Sequence, residues 1–506
     1  MSSTFFGLEI SRRALESQQA ALDVTGHNIS NANTQGYTRQ IANLTATTPY
    51  TSSVMGRNLS LGSGVSMDTI TRARDAFVDR QLRGETSKQQ FWASKQDSLS
   101  KIEGVMNEPS DNSLSGDMNQ FWTAWSDLSA NPENSGARSV VQERAVTLTD
   151  SFHTISQQLS TMQSDLDSNV NVQISQINVY ANQIKDLNNQ IKQAEVTGDN
   201  PNDLRDSRDQ LVDKLSQIVS VKVTETPDPN FPNGQVNIFQ LDIGTTPQTL
   251  VKDGAASQLV GVPTASGLIP PGSIVPNDIT TVQWAAGSPN GLAGTPLALD
   301  AQKGTLQANI DIRDTYLPTL SGKYDTLAQG IVQAVNDIHK TGTVTGTVTT
   351  NTPFFNSSNL RASSISLDSS VDTSIATNIN NIVTGDGNSG DGSVAAAISS
   401  LSTGWSGLPT IHTVSTATYG ASLGDSYGAT VSQLGVDVQQ ANRMKAGEDV
   451  LVTNLTNQRD SQSGVSLDEE MMNLVKYQKS YAAAARMVTM MDDMLNTIVT
   501  GMGVTR

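Results

Sequence analysis

The chain has 506 residues, a formal net charge of −17 at neutral pH and no cysteine. Its length indicates roughly three or four domains rather than one. The acidic balance excludes the basic surface by which proteins attract nucleic acid or an anionic membrane, and the lack of cysteine excludes disulfides, Cys-based metal sites and Cys nucleophiles. Only 5% of the residues are aromatic and 16% are charged, a composition typical of long thin helices and plain β modules.

The first residues do not predict a secretory signal. Their apolar run, around Phe5, Phe6 and Leu8, is far shorter than the hydrophobic region of a signal peptide. Arg12-Arg13 resembles a twin-arginine pair, but polar residues follow where an apolar segment would be required. Since no stretch approaches the roughly 18 apolar residues of a membrane span, we expect neither a cleaved signal peptide nor membrane insertion.

The first predicted element is a helix with one narrow apolar row that repeats every seven residues. The row consists of Leu8, Leu15, Leu22 and Ile29. The alternate positions, which would complete a coiled-coil seam, are polar: Ser11, Gln18 and Thr25. A helix with so little apolar surface is not stable alone in water, so the pattern predicts that it pairs with another helix.

That helix ends in segment 28–39, which reads NISNANTQGYTR. Asparagine and glycine tolerate left-handed backbone and stop helices, so the segment predicts a sharp turn into extended chain over residues 40–75. It contains no catalytic grouping. The turn residues that we expect to matter are Asn31, Asn33, Thr34, Gly36 and Tyr37.

From about residue 75 the pattern is helical. Apolar residues at three-to-four spacing continue over 138–194 without a proline, which predicts one helix of about 55 residues and roughly 80 Å. Trp122 and Trp125, three apart on the preceding helix, are expected to pack in a core. A Gly-Asp-Asn-Pro turn ends the long helix, and Asn202 or Asp203 caps the next one.

On that next helix, Asp203, Asp206 and Asp209 are spaced three apart on one face, which could suggest a cation site. Arg205 and Arg208 lie among them, and Arg205 with Asp209 has the spacing of a helical ion pair. We therefore interpret the group as a capped and salt-bridged helix.

The pattern changes after residue 221, where aliphatic residues alternate with polar ones and proline and glycine recur every few positions. This predicts a β module in 222–300. Helix returns in 301–341, a second β-like stretch covers 343–372, and a glycine-rich turn at 385–392 precedes further helix. The chain thus leaves and re-enters a helical body, which favours β inserts that lie outermost.

The end of the chain has the clearest pattern. Ten of eleven positions spaced alternately three and four apart are apolar, and Glu470 is the exception. This is the seam of a helix that packs along another helix, and Ser466 with Glu469 offers a capping box at its start. The apolar seam positions are Leu467, Leu474, Tyr477, Tyr481, Ala484, Val488, Met491, Leu495, Ile498 and Met502.

The simplest partner for this helix is the amino-terminal one. Pairing inside one chain and packing against neighbouring copies are both open on periodicity alone. The segment is rich in methionine, which adapts to several packing surfaces but also fills ordinary cores.

Other polar groupings are weak candidates for chemistry. The run 386–392 faintly resembles a calcium loop, but Ala397 occupies the twelfth position, where an EF-hand has a bidentate Glu. No nucleophile elbow or phosphate loop occurs, although a Ser-His-Asp arrangement formed only in space stays open. The histidines are far apart in the sequence: His27, His153, His339 and His412. We predict no enzyme activity, no cofactor and no metal.

Two segments at opposite ends of the chain resemble the signatures of one family, the flagellar rod, hook and hook-associated axial proteins. The first is the turn at 28–39, and the second runs from Ser463 to Tyr481. Gly464 precedes Val465 where hook and rod relatives typically have asparagine, which favours the hook-associated branch. Interior stretches are also similar to the helical domain of that branch: 121–141, 202–211 and 304–314. The resemblance covers roughly 1–221, 301–341 and 425–506.

Pattern and resemblance together imply a multidomain fold of mixed α and β structure. Its long α-helical coiled-coil or bundle core is formed by the N- and C-terminal regions, and β-rich outer domains are inserted. The expected units are a terminal helical assembly domain (1–60 plus 464–506), an elongated helical domain (61–221 plus 301–341 plus 393–463), a β-rich inserted domain (222–300) and a second small β-rich insert (342–392).

The resemblance implies a structural subunit of the bacterial flagellum, outside the cell at the hook-filament junction, exported without a cleaved signal peptide. Such a subunit self-assembles at the hook tip and allows filament growth. The implied partners are further copies in a ring of about eleven, the hook protein, the next hook-associated junction protein, and a cytoplasmic export chaperone at the C-terminal helix. The two helical rows and the turn named above would supply the assembly and chaperone contacts.

Other functions stay open. A hook or rod axial subunit would share the terminal signatures, although the long helix and the region of Trp122 and Trp125 argue against it. A secreted adhesin, a carbohydrate-binding module or an enzyme in the β inserts would need a pocket with converging polar groups. An adhesin would also keep its function without the termini.

Overall fold

The computed structural model describes residues 6–54, 57–110, 113–231, 236–245, 248–263, 279–344, 351–404 and 422–502. Over these residues the protein has a terminal layer, a helical body and a β module on one flank of the body. Long helices dominate, and small antiparallel sheets are inserted between them. The predicted mixed α and β, multidomain fold is therefore confirmed.

The first helix, α1 (Phe6–Ser30), is followed by four short strands. Strand β1 (Gln40–Ala46) pairs antiparallel with β4 (Val65–Arg72). Strand β2 (Tyr50–Val54) pairs in the same way with β3 (Arg57–Leu61). The β1–β4 ribbon packs against α1, so the extended segment that the sequence predicts lies along the first helix.

Four helices follow: α2 (Ala76–Met106), α3 (Leu114–Ala130), α4 (Ser135–Val196) and α5 (Asn202–Ile218). Helices α2 and α3 pack in the core of the body, α4 contributes to this core and to that of the β module, and α5 packs in the core of the β module. Helix α4 begins where the side chain of Asn134 accepts two backbone N–H groups of its first turn. It has 62 residues and a length of roughly 90 Å. The predicted long helix is confirmed, and it supports both the body and the β module.

Six strands follow α5: β5 (Val221–Pro227), β6 (Asn237–Ile243), β7 (Gln248–Lys252), β8 (Ala255–Ala256), β9 (Leu259–Pro263) and β10 (Thr280–Trp284). The first four form an antiparallel sheet in chain order, and the last two form a hairpin. Phe239 and Trp284 pack with Val170 and Ile177 of α4 in a core separate from that of the body. The β structure predicted after residue 221 is present.

The chain returns to the body as α6 (Thr305–Asp311), a π-helical turn (Ile312–Tyr316) and α7 (Leu317–His339). Arg313 in the π turn is almost fully buried and pairs with Asp167 on α4 at 2.5 Å. Removing one partner of such a buried pair is strongly destabilising, so this contact fixes the returning chain on α4.

The second predicted β insert has a different structure. Within residues 351–404 there are isolated β-bridges but no strand. Phe354 and Phe355 are fully buried in the core of the body, together with Trp122 and Trp125, and the rings of Phe354 and Trp125 are 5.2 Å apart. The β-like pattern was misleading because these apolar residues pack on the helices rather than on paired strands. The two tryptophans are core residues, as predicted.

The chain then passes through a 3-10 turn (Ala376–Asn381) and helix α8 (Ser393–Ser400). Two long helices complete it, α9 (Leu423–Ser463) and α10 (Leu467–Met502). Helix α9 packs along α2, and α10 packs along α1. Both ends of the chain therefore lie together.

His339, at the end of α7, is fully buried beside Trp125 and Phe354. Its Nδ1 lies 2.7 Å from the carbonyl oxygen of Thr352, and its Nε2 accepts from the amide of Val383 at 2.9 Å. These partners require a neutral ring with its proton on Nδ1. Burial lowers the pKa of His339 to about 4.

We predict that the body loses stability as the pH falls from 6.5 to about 4. In this window the unfolded histidine binds a proton that the folded one does not, which favours unfolding by up to roughly 3 kcal/mol. The substitution His339→Gln lowers stability at neutral pH but makes this pH dependence shallower. Urea unfolding followed by tryptophan fluorescence measures both effects. Parallel pH dependence of the two proteins would contradict the assignment.

Candidate functional site

A short non-helical link that begins at Gly464 separates α9 from α10. The hydroxyl oxygen of Ser466 accepts the Glu469 amide at 3.5 Å, and its carbonyl oxygen accepts the Glu470 amide at 2.9 Å. The Glu469 carboxylate pairs with Arg39 at 2.8 Å rather than completing the predicted capping box. A residue from the other end of the chain thus helps to set the start of α10.

The predicted apolar seam of α10 is only partly covered. Three of its described positions are exposed: Leu467, Tyr481 and Ile498. Six are half-buried: Leu474, Tyr477, Ala484, Val488, Met491 and Leu495. Glu470, the single polar seam position, has an exposed fraction of 2%. The most deeply buried side chain of the described seam is therefore a carboxylate.

The buried face of α1 differs from the predicted apolar row. Leu8, Leu15, Leu22 and Ile29 are half-buried. The fully buried positions of α1 are Ser11, Ser17, Ala21, Val24, Thr25 and Asn28. Small residues allow α10 and the β1–β4 ribbon to approach α1 closely, and Ser17 donates to the Val65 carbonyl oxygen at 3.3 Å. A search for large apolar residues could not find this face.

Two contacts fix the pairing of α1 with α10. At one end, Gly7 lies so close to Met491 that a Cβ at residue 7 would stand 2.4 Å from Met491 Cε. At the other end, Asn28 donates to Glu470 at 3.1 Å. The same number of residues separates the two contacts on each helix, so the helices run antiparallel in one register.

Helix α1 covers only part of the apolar surface of α10. Seven large apolar side chains outside the seam have exposed fractions between 43% and 69%. They are Met471, Met472, Val475, Met487, Met490, Met494 and Val499. We call these seven residues the outer apolar surface of α10. They fall into two groups along the helix, 471–475 and 487–499, and exposed apolar residues concentrated on one helix make it a candidate interaction site.

The turn at 28–39 is organised by the side chain of Asn28, whose exposed fraction is 1%. Its amide nitrogen donates to the Gln40 carbonyl oxygen at 2.9 Å and to Glu470 at 3.1 Å. Its oxygen accepts from the Gln40 amide at 2.9 Å and from the Tyr37 hydroxyl at 2.7 Å. Asn28 thereby joins α1, β1 and α10 and uses all of its hydrogen-bonding capacity.

Arg39 completes the link between the two ends of the chain. Its guanidinium donates to Glu470 and to Glu469, each at 2.8 Å, and its amide donates to the Ser463 carbonyl oxygen at 2.9 Å. Sequence reasoning did not select Asn28, Arg39 or Glu470 as site residues. The polar exception in an apolar seam was the available signal. We call Asn28, Arg39 and Glu470 the polar joint.

The predicted turn residues shape the loop around this joint. Thr34 donates to Asn31 at 3.1 Å, while Asn33 is exposed. Gly36 has a φ of +82°, which favours glycine, and a Cβ there would stand 3.0 Å from Gln210 Nε2. The loop therefore packs closely against α5.

Arginines of β4, of α2 and of the short link between them neutralise the acidic face of α5. Asp209 contacts Arg72 at 2.8 Å, Arg74 at 2.9 Å and Arg83 at 3.4 Å, and Arg72 also pairs with Asp206 at 2.8 Å. Burial raises the pKa of Asp209, but the arginines outweigh burial and lower this pKa to about 2. The interpretation as a salt-bridged helix agrees with these contacts.

The predicted pair between Arg205 and Asp209 is wrong. Arg205 pairs with Glu195 at 2.5 Å, because α5 turns Asp209 towards the arginines of the ribbon. Asp203 also accepts a hydrogen bond from the Gln40 side chain at 2.7 Å, and Asp206 accepts one from the Thr38 amide at 2.8 Å. Helix α5 thus attaches the terminal layer to the body.

The other polar groupings do not form a site in the part of the chain that is described. Asp391 accepts the backbone N–H groups of Asp386 and Ser393, as in an ordinary turn. Three histidines lie on different helices, and the fourth is outside the described residues: His27, His153, His339 and His412. The described residues contain no group of three potential ligands that could hold a metal. None of the described helices has the length and apolarity needed to cross a membrane.

We predict that Asn28→Asp loosens the pairing of α1 with α10. The substitution removes two donated hydrogen bonds and places a second carboxylate beside Glu470. It therefore lowers the free energy of helix pairing by on the order of 3 kcal/mol. The control Asn31→Asp makes the same replacement at another asparagine of the turn and lowers this free energy by less than about 1 kcal/mol. Amide hydrogen exchange over α10 reports the difference. Equal protection of α10 in both variants would contradict the role of Asn28.

The two terminal segments and the body each match a known family of flagellar proteins. Residues 99–355 match the family described as "Flagellar hook-associated protein FlgK helical domain". Residues 8–38 match "Flagella basal body rod protein", and residues 456–500 match "Flagellar basal body rod FlgEFG protein C-terminal". The three residues of the polar joint lie in or next to the two terminal matches.

Individual relatives agree with these matches. Flagellar hook-associated protein 1 of Bacillus subtilis (strain 168) is 34% identical over 524 residues, covering 100% of this chain and 99% of the relative. The protein of the same name from Salmonella typhimurium is 31% identical over 258 residues, covering 50% of this chain and 43% of the relative. That from Escherichia coli (strain K12) is 28% identical over 334 residues, covering 65% and 56%.

A solved structure shares the fold. The flagellar hook junction protein FlgK from Burkholderia pseudomallei has a TM-score of 0.59 and 16% identity, covering 76% of this chain and 100% of that chain. The full-length relative and the match to the helical domain together show that this chain belongs to the flagellar hook-associated protein 1 family.

Proposed function

We propose that this chain is a structural subunit of the bacterial flagellum that self-assembles at the hook tip, forms the hook-filament junction and allows the filament to grow. The observation that carries the proposal is the outer apolar surface of α10, which remains exposed after α1 has paired with the seam. Family membership supports the location.

The energetics favour assembly through α10. Fully burying one large apolar side chain contributes roughly 1.5–3 kcal/mol, and the outer apolar surface offers seven such side chains. Five of the seven are methionines, whose flexible side chains adapt to partners of different shape. A subunit at the junction of the hook and the filament has to pack against partners of different shape on its two sides.

The proposed partners follow from this position. The chain forms a ring of about eleven copies between the hook protein and the next hook-associated junction protein. Before export, a cytoplasmic chaperone covers the C-terminal helix and prevents premature association. The chain leaves the cell unfolded, and the absence of cysteine avoids crosslinks during passage.

The division of the chain into domains is part of the proposal. The terminal assembly domain (1–60 plus 464–506) holds the subunit in the tube, and the helical domain (61–221 plus 301–341 plus 393–463) surrounds it. The β-rich domain (222–300) lies furthest out, which its separate core supports. The smaller insert (342–392) is a unit that packs on the helical domain, which the burial of Phe354 and Phe355 in the core of the body supports.

A non-catalytic role fits the site. The charged groups of the polar joint are satisfied by one another, with Glu470 buried and Arg39 half-buried, so they hold structure rather than bind substrate. A rod or hook subunit shares the terminal matches, but the match to the helical domain over 99–355 favours the hook-associated role. Adhesin and carbohydrate-binding activity would reside in the β module and would not require α10.

We predict that polar substitutions on the outer apolar surface abolish assembly without unfolding the subunit. The variant carries Met487→Gln, Met490→Gln, Met494→Gln and Val499→Gln. These side chains are exposed, so the melting temperature changes little. In a strain lacking this protein, the variant is expected to give hooks without filaments and to release monomeric flagellin into the medium.

The matched control replaces exposed polar residues of the same helix, Thr489→Ser, Asn496→Ser and Thr500→Ser, and is expected to restore motile filaments. A third variant replaces the seam residues Leu474, Tyr481, Val488 and Leu495 by Ser and is expected to lose both the hydrogen-exchange protection of α10 and the filaments. Motile filaments from the glutamine variant would exclude the outer apolar surface as the assembly element and direct attention to the β module.

A further inference from the structure

An arginine-rich cavity of about 470 Å³ lies between β4, α2, α5 and β5. Its acidic lining residues are Asp79, Asp209 and Glu225. Its basic lining residues are more numerous: Arg72, Arg74, Arg80, Arg83 and Arg205. Four of these arginines pair with carboxylates in or beside the cavity, so arginine forks and their acidic partners are gathered where the terminal layer meets the body.

The arginines of this cavity retain unused hydrogen-bond donors. Arg72 makes both of its carboxylate contacts, with Asp206 and Asp209, through Nη1 alone. Its Nε and Nη2 have no acceptor among the described residues. Arg83 likewise uses Nε for Asp213 and Nη2 for Asp209. A guanidinium has five N–H donors in a fixed fork, so these side chains can bind a further carboxylate without giving up the pairs they already make.

Arg80 is the member of the group that is open to a partner. It lies in the first turns of α2, its side chain is exposed, and it has no acidic partner in the described part of the chain. The other four arginines of the cavity are each paired with a carboxylate. Arg80 is therefore the one arginine of the cavity that makes no ion pair within the described part of its own subunit.

We propose that this cavity binds an acidic side chain of a second copy of the chain, with Arg80 as the contacting residue. The inference rests on the proposed function, in which copies assemble side by side. Copies that each carry a surplus of carboxylates repel one another, and complementary charge at the interface offsets this and fixes the register. Arginine forks recognise carboxylates by paired hydrogen bonds, and closed cyclic symmetry repeats the same contact at every interface.

The first test is a charge reversal. Arg80→Glu is expected to reduce the fraction of cells with filaments by roughly tenfold or more, while Arg80→Lys retains most of it. The control Arg144→Glu makes the same charge change at an exposed arginine of α4 that has no ion pair in the described residues, and it is expected to assemble normally. The melting temperature of each purified variant shows whether it folds.

The second test identifies the occupant and does not depend on the folding of the reversed variant. Flagella carrying Arg80→Lys are treated with a carbodiimide, which joins an amine directly to a contacting carboxylate. We expect a covalent dimer of this chain in which residue 80 is linked to an Asp or Glu of the second copy. Arg144→Lys flagella are the control and give no such product.

Normal filaments with Arg80→Glu, or a carbodiimide product that links residue 80 to a different protein or to none, would overturn the proposal. These outcomes differ from a failure of the proposed function. If the unchanged chain does not restore filaments, the hook-filament role is contradicted. If it does restore them, the same outcomes contradict only the binding role of the cavity.

Discussion

The arrangement of both chain ends depends on one buried carboxylate, that of Glu470. Taking such a group out of water costs several kcal/mol unless it is paired and hydrogen-bonded, and Arg39 and Asn28 meet that requirement. A polar residue inside an apolar seam also specifies register, because a shift of the helices would leave the charge unpaired. With Gly7 against Met491 at the far end, the pairing of α1 and α10 has one favourable alignment, and the polar joint connects it to the turn that leads into the body.

That alignment decides which surface remains for assembly. Helix α1 presents mostly small and polar residues to its buried side, so it fits closely against its neighbours but covers little apolar area. Helix α10 carries large apolar residues around much of its circumference, and those outside the seam stay exposed. The terminal helix pair therefore keeps an uncovered apolar surface on α10, which is the surface that the proposed assembly would use. The arginines that pair with Asp209, and the cavity that they line, lie where the terminal layer meets the body.

Periodicity was sufficient to predict the long α4 helix, the α10 seam and the β structure after residue 221, since each depends on a local repeat of apolar residues. It could not find the buried face of α1, because close packing there selects small residues rather than large ones. It failed for the pair of Arg205 and Asp209, because Asp209 forms its ion pairs with arginines that are distant in the sequence. It also assigned Phe354 and Phe355 to a β insert, although tertiary packing on the helices decides their structure. The polar joint combines three residues from both ends of the chain, and only the odd position of Glu470 indicated it.

Arg39 and Glu470 are expected to act as one unit that holds α10 against α1. A double-mutant cycle with Arg39→Gln, Glu470→Gln and the combined variant tests this most directly, with amide hydrogen exchange over α10 as the readout. We predict that Arg39→Gln alone has the largest effect and lowers the free energy of opening of α10 by about 3–5 kcal/mol, because it leaves a buried carboxylate unpaired. The combined variant is then expected to be more protected than the sum of the single effects indicates. Additive effects, or unchanged exchange in all three variants, would contradict the role of this pair.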